Sequence, residues 1–533
     1  MISILRQPDF YVGATENSPF RFEEPTTVCR DVRFDYVVGE KSAKVIVYPS
    51  GSPVKFLKLR FEGDYESVQQ VYGDQWERSY GDDAPLEWRS VIPHREMPWF
   101  CYVKLNNKVV CYGVKTGADC FASFYVDTHG VTLFLDLKCG NQGTNLIEPL
   151  TACEVVEMEG AEGEGAYSVA RRFAFRMCDS PVLPSQPIFG VNDWYCSYGR
   201  NSRKSTAEGA DFLMRVCEGV KHSPYVIIDD GWQLNRTYGQ GSYIGGPWIP
   251  NDRFGNMTET SDDIHKRGAK AGIWFRPLLA LGDMPEEAKL DRFSAGGFIL
   301  DPSHPFTLEQ VECDARKITG CGYELLKHDF TSIDVFGSFS GFKIVHNLQR
   351  KYHDNTKTTA TIIKELYKAI QRGAGEADVI GCNTVSHLTA GIHSVYRVGQ
   401  DTSGRSFEWT RRNGVNSMMR LPLNEAFYIV DPDCAPFTER VDIDVNLDFL
   451  EMCALTGVTT LASIAPNVLN DKQMQRMNGI FRMADANVER YTIKNYDKHA
   501  SPEVFVSADG KTERKFDWEK IYHGARNVLD WYN

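Results

Sequence analysis

The chain has 533 residues, 42% of them hydrophobic and 24% charged, with a formal net charge of −12. That length exceeds one typical domain, and the balance is that of a soluble globular protein able to bury a large core. The acidic surplus argues against a nucleic-acid partner, which would select a basic face.

The N-terminus does not read as a secretory signal, because the apolar run of MISILRQPDF is short and meets Pro8 and Asp9 at once. No stretch approaches the length of a membrane span. The 14 cysteines are scattered, with no C-x-x-C pair. They read as small buried hydrophobes in a reducing compartment, so the expected location is the cytoplasm.

Residues 1–180 predict a β-sandwich domain. FDYVVG, AKVIVYPS, VKFLKLRFEG, WFCYVKL, KVVCYGVKTG, ASFYVDTHGVTLFLDLKCG and RRFAFRMC are short β-branched and aromatic runs separated by Gly, Asn and Asp. PVLPSQP, residues 181–187, carries three prolines and reads as a linker. From 188 to 485 the pattern alternates. Strand-like runs stand at IFGV, YVII, AGIWF, ELLK, DVIGC, SVYRV, FYIV and TTLA, with helix-like segments such as AEGADFLMRVCEGV, LEQVECDARKI, TATIIKELYKAIQRG and NLDFLEMCALTG between them. Eight such strands predict an α/β fold, a (β/α)8 TIM barrel. A doubly wound open sheet is the alternative, weakened by the lack of G-x-G-x-x-G after any strand. Residues 486–533 predict a short segment packed on the barrel, with a hairpin and a closing helix.

In such a barrel, catalytic groups follow the strands. The successive runs lead into Asn192-Asp193-Trp194, Asp229-Asp230-Gly231-Trp232, Trp274-Phe275-Arg276, Lys327-His328-Asp329, Cys382-Asn383, Arg397 with Asp401, and Asp431-Pro432-Asp433. Each Asp alone is equally a helix N-cap or turn former, and Asp431 and Asp433 lean to that structural reading. Gathered on one rim, carboxylates, cations and tryptophans suit a sugar. Charged groups bond its hydroxyls, and indole faces cover the apolar side of a pyranose.

In their order along the chain, Asp229-Asp230-Gly231-Trp232, Lys327-His328-Asp329 and the Arg397/Asp401 spacing resemble the clan of α-galactosidases and α-N-acetylgalactosaminidases. The β-rich N-terminal region and Gly272-Ile273-Trp274-Phe275-Arg276-Pro277 are most similar to its larger microbial branch, glycoside hydrolase family 36, which also holds raffinose-synthase-like transferases. The resemblance covers roughly residues 186–465. It implies a retaining, exo-acting α-glycosidase that releases terminal α-linked galactose by double displacement. It further implies Asp329 as nucleophile and Asp401 as acid/base. Lys327 and Arg397 would hold hydroxyls, Asp229 and Asp230 would grip the 4- and 6-hydroxyls, Trp274 and Trp194 would wall the pocket, and Cys382 would floor it. Three departures bear on sugar specificity. Arg276 stands where the family often has an acid, Ala295 where it often has Arg, and Asn383-Thr384-Val385 where Ser-Gly-Gly usually follows the cysteine.

Cleaving an acetal requires one ionised carboxylate to attack and one protonated carboxyl to donate. Lys327 is expected to keep Asp329 ionised, while Asp401 gives its proton and then takes one from water. No metal or cofactor is required, and His328 is expected to pack rather than ligate. The expected partner is a carbohydrate substrate, with no nucleic acid and no membrane, and a homo-oligomer is compatible with this reading. Two alternatives stay open: a transglycosylase on the same site, and a non-catalytic carbohydrate-binding protein.

Overall fold

Period-two burial builds the N-terminal part. In β4 (Val54–Glu62), Leu57, Leu59 and Phe61 recur at alternate positions and are fully buried. With β1 (Phe10–Thr15), β6 (Met97–Pro98), β9 (Phe121–Asp127) and β10 (Gly130–Asp136) it forms an antiparallel sheet of order β1-β4-β10-β9-β6. A second antiparallel sheet holds β2 (Phe34–Val38), β3 (Ala43–Val47), β5 (Val68–Gly73), β7 (Phe100–Leu105), β8 (Lys108–Val114) and β11 (Leu150–Glu159), in the order β2-β3-β11-β8-β7-β5. The pair is sandwich-like. The computed structural model describes residues 2–17, 31–78, 86–90, 95–234, 246, 248–292, 297–337, 348–486, 490–498 and 501–518. Ala295 and the expected closing helix lie outside them.

One predicted strand is corrected. RRFAFRMC ends a helix, Ala166–Met177, whose buried residues Ala166, Tyr167, Val169, Ala170, Phe173, Ala174 and Met177 follow helical spacing. Phe173-Ala174-Phe175 imitates strand alternation only because the window is short, and Phe175 is exposed. The helix lies so close to β8 that a Cβ at Gly113 would stand 2.7 Å from Met177 Sδ.

All eight later runs become parallel strands: β12 (Phe189–Asn192), β13 (Tyr225–Ile228), β14 (Lys270–Phe275), β18 (Leu325–His328), β19 (Asp378–Gly381), β20 (Val395–Arg397), β21 (Ile429–Asp431) and β23 (Thr460–Ile464). A small antiparallel sheet of β15 (Leu279–Ala280), β16 (Lys289–Arg292) and β17 (Phe298–Leu300) fills the connection after β14. A ninth parallel strand, β22 (Ala435–Phe437), was not foreseen. The sheet order is β21-β20-β19-β18-β14-β13-β12-β23-β22, with every pairing parallel. This order never reverses through the sheet, which removes the doubly wound alternative. Its two end strands are consecutive in sequence, separated by Pro432, Asp433 and Cys434. The Thr459 amide, just before β23, donates to the Val430 carbonyl of β21 at 3.0 Å.

The C-terminal part holds β24 (Thr492–Ile493), β25 (Val504–Val506) and β26 (Glu513–Lys515), so the expected hairpin is present as β25–β26. Among the described residues no helix is long and apolar enough to cross a membrane. The two large parts share one hydrophobic core. Trp99 stacks on His387 at 5.0 Å, and Lys364 Nζ donates to the Gly117 carbonyl at 2.6 Å.

Candidate active site

Parallel strands end together, so the residues that follow them share one rim. Asp329 follows β18 and is half-buried. Its Oδ2 accepts from Trp274 Nε1 at 3.2 Å, and its Oδ1 from the Phe330 amide at 2.7 Å. Phe330 itself sits in the left-handed region, at φ +63°. A bulky residue held there stores about 1–3 kcal/mol of strain, the kind of cost that clusters at functional sites. Tyr198, Asn383 and Asp433, each following another strand of this sheet, also have positive φ.

Asp401 follows β20, and its side chain is 34% exposed. Its Oδ1 accepts from Arg397 Nη2 at 2.7 Å and from Arg78 Nη1 at 3.1 Å. Burial pushes the carboxyl up, but Arg397 and Arg78, aided by Lys327, outweigh it and hold the pKa below the ordinary Asp value. Arg397 is itself buried and fixed by Asp433 at 2.9 Å. Asp433 also accepts from the Thr402 amide at 2.9 Å and from the Tyr195 hydroxyl. Asp433 thus orients a cation of the site, which goes beyond its turn reading. Asp431 keeps the structural role, accepting from Thr459 and from the Asp433 amide.

The expectation for Lys327 is corrected. Its ammonium pairs with Asp229 Oδ2 at 2.6 Å, not with Asp329. β18 ends at His328, so Asp329 lies beyond the strand, while Lys327 within it reaches across to Asp229 at the end of β13. Asp229 also accepts from Asn192 Nδ2 at 2.8 Å and from the Asp230 amide at 2.8 Å. Asp230 accepts from Gln233 Nε2 at 2.6 Å. Beside them Asp193 accepts from the Asp229 amide at 2.8 Å, and burial pushes its pKa up to about 7, with the Asp229 charge adding to the rise.

Trp274 is almost fully buried, and its carbonyl accepts from Trp232 Nε1 at 2.8 Å. Trp194 is only partly buried and meets Tyr198 edge to face at 5.7 Å. Cys382 is buried, with Sγ 3.8 Å from both Arg397 Nη1 and Arg78 Nη1. Arg276 turns inward and forms a bidentate pair with buried Asp334, and its guanidinium lies 4.4 Å over the Phe330 ring. His328 packs on His393 at 4.9 Å, and burial lowers its pKa well below the ordinary His value.

Sequence reasoning missed two members of this cluster. Arg78 comes from the loop after β5, 323 positions from Asp401. Asn383 was placed after its strand and noted as a departure, with no role assigned. With its amide nitrogen toward Asp329, Asn383 donates to Asp329 Oδ1 and accepts from Arg78 Nε and Nη2 at 2.8 and 2.9 Å. Asn383 and Arg78 therefore form a bridge from one carboxylate to the other. The sole hint in sequence was a charged, tryptophan-bearing stretch, Asp74-Gln75-Trp76-Glu77-Arg78, inside an otherwise β-rich region.

No family model and no curated protein matches this chain. Solved structures do. An α-galactosidase from Thermus thermophilus in complex with p-nitrophenyl α-D-galactopyranoside superposes with a TM-score of 0.62 at 16% identity, covering 91% of this chain and 96% of that one. The GH36 α-galactosidase AgaA from Geobacillus stearothermophilus gives 0.60 at 12% identity, over 94% and 79%. An α-galactosidase from Lactobacillus brevis gives 0.58 at 10%, over 94% and 75%. The chain thus has the fold of the family 36 α-galactosidases.

Proposed function

We propose that this chain is a retaining α-glycosidase, acting on terminal α-linked galactose, with Asp329 as nucleophile and Asp401 as acid/base. The observation that carries the reading is the pair of half-buried carboxylates after β18 and β20, linked through Asn383 and Arg78, in a fold whose solved relatives are α-galactosidases. The nine-stranded sheet is read as a closed (β/α)8 barrel whose seventh strand is broken at residues 432–434. The proposed divisions are a β-sandwich domain over 1–180, a linker over 181–187, the barrel over 188–485 and a packed C-terminal segment.

In this reading the Trp274 and Phe330 N–H groups aim Asp329 at the anomeric carbon. Attack by Asp329 breaks the glycosidic bond while Asp401 gives the leaving oxygen its proton. Asp401, now ionised, takes a proton from water as that water releases the sugar from Asp329. The two guanidiniums on Asp401 favour its ionised form, so the free enzyme is poised for the second step, and the first is fastest at low pH. The group around Asp229, with Lys327 and Asp230, would meet the 4- and 6-hydroxyls, and Trp194 would flank the sugar.

Purified protein should be assayed on nitrophenyl α-glycosides of galactose, N-acetylgalactosamine, glucose and arabinose, with the first-formed anomer followed by NMR. Release of α-galactose as the first anomer supports the reading, and β-galactose refutes retention. A disaccharide product with excess acceptor sugar would assign the site to transfer. No turnover of any member would refute the reading.

A further inference from the structure

We propose that Arg78 is a positioning residue for Asp401: the N-terminal β region delivers a second guanidinium to the carboxylate, fixing its orientation and its charge. This inference rests on the assignment of Asp401 as acid/base.

The geometry is specific. Arg78 is 8% exposed and touches three members of the site: Asp401 Oδ1, Cys382 Sγ and the Asn383 amide oxygen. Its loop is anchored from the other side. Arg420, fully buried after the helix Phe407–Met419, binds Asp74 Oδ1, the Glu77 carbonyl and the Val398 carbonyl at 2.7 Å each. Val398 immediately follows β20, the strand that carries Arg397. One side chain thus ties the loop bearing Arg78 to the strand that leads to Asp401.

Arg397 alone would supply a cation to Asp401, so a second on the same oxygen calls for a purpose. Among the described residues, the charged and titratable groups around Asp401 include Arg397 from β20, Lys327 from β18, Asp433 on the same Arg397 nitrogen, Cys382 against both guanidiniums, and Tyr195 and Tyr198 after β12. The tyrosines stay neutral, since burial raises both. Arg78 is then the cation that can be removed without dismantling the strand ends. Its loss should let Asp401 hold a proton to higher pH, because an opposite charge at this range lowers a carboxyl pKa by roughly 1–3 units.

The test measures Asp401 in two ways. Carboxyl-13C NMR of Asp-labelled protein, with the signal assigned by Asp401→Asn, gives its titration directly and needs no activity. The pH profile of kcat/KM on an alkyl α-galactoside, whose leaving group needs the proton, gives it kinetically. Arg78→Met should raise the midpoint by about one pH unit or more in both, and Arg78→Lys should return it toward wild type. A midpoint that is the same in wild type, Arg78→Met and Arg78→Lys overturns the inference. If Arg78→Met does not fold, Arg78→Gln, which removes the charge but keeps a polar side chain, takes its place beside Arg78→Lys. A midpoint raised in Arg78→Gln and restored in Arg78→Lys supports the inference, and one unmoved in Arg78→Gln overturns it. A wild-type protein that turns over no glycoside would refute the glycosidase reading, while the NMR titration would still decide whether Arg78 governs Asp401.

Discussion

Arg420→Met should be among the most damaging single substitutions outside the strand-end residues. Arg420 is fully buried and its three hydrogen bonds are all 2.7 Å. The substitution leaves Asp74 1% exposed and without its cation, and removes the Arg420 bonds to the carbonyls of Val398 and Glu77. Removing one partner of a buried ion pair costs about 3–5 kcal/mol, most of it from the charge left behind. The two lost carbonyl bonds add about 0.5–1.5 kcal/mol each, which brings the total to about 4–8 kcal/mol. Burial already pushes the Asp74 carboxyl up against the pull of Arg420, so in the variant it takes a proton. Adding Asp74→Asn should therefore recover part of the loss, and a double-mutant cycle should show coupling of more than about 1 kcal/mol. Urea unfolding followed by tryptophan fluorescence measures both. A loss below about 1 kcal/mol, or additive effects of the two substitutions, would refute the argument that this pair holds the loop.

Four further outcomes are expected. Asp329→Gly should lower turnover by more than about 10³-fold, with partial rescue by azide; kinetics with and without azide check this, and substantial activity without it removes Asp329 from the nucleophile role. Asp230→Ala should erase most of a preference for galactosides over glucosides, worth about 1–3 kcal/mol or ten- to a hundredfold in kcat/KM; equal ratios before and after would end the galactose assignment. Arg276→Met breaks a buried pair and should cost about 3–5 kcal/mol of stability with the glycone preference unchanged, and a changed preference would restore Arg276 to the pocket. Burial holds His387 and His393 down to about 4, below the unfolded value near 6.5. Their contribution is complete above about pH 6.5 and is lost as pH falls toward 4, so thermal midpoints taken across that range should decline, with a shallower slope in His387→Asn.

What could be read from the sequence was what is local. Each of the eight parallel strands is three to six residues long and lies in a run whose own composition announces it, and the residues after each run sit where the run ends. RRFAFRMC failed for the converse reason: its helical period shows only when Ala166, Tyr167 and Ala170 are counted with Phe173 and Met177. Lys327 and Asp329 are two apart in sequence, but the strand stops between them, so proximity in sequence did not become an ion pair. Arg78 was beyond reach because nothing within its own β region indicates that the loop after β5 faces a carboxylate more than 300 positions away. The unforeseen β22, Ala435-Pro436-Phe437, carries a proline at its centre, which argues against a strand in the sequence.

The stacking of Trp99 on His387, the bond from Lys364 to Gly117 and the hold of Arg420 on Asp74 together bear on modularity. A chain cut within residues 181–187 would not yield a smaller, self-sufficient α/β half. That half would present a bare imidazole face, an ammonium without its acceptor and a guanidinium without its carboxylate at one border, and its rim would lack one of the two guanidiniums on Asp401. The two parts are therefore exchangeable between relatives only as a matched set, and a chimera should need the loop 74–78 and the segment 397–420 to come from the same parent.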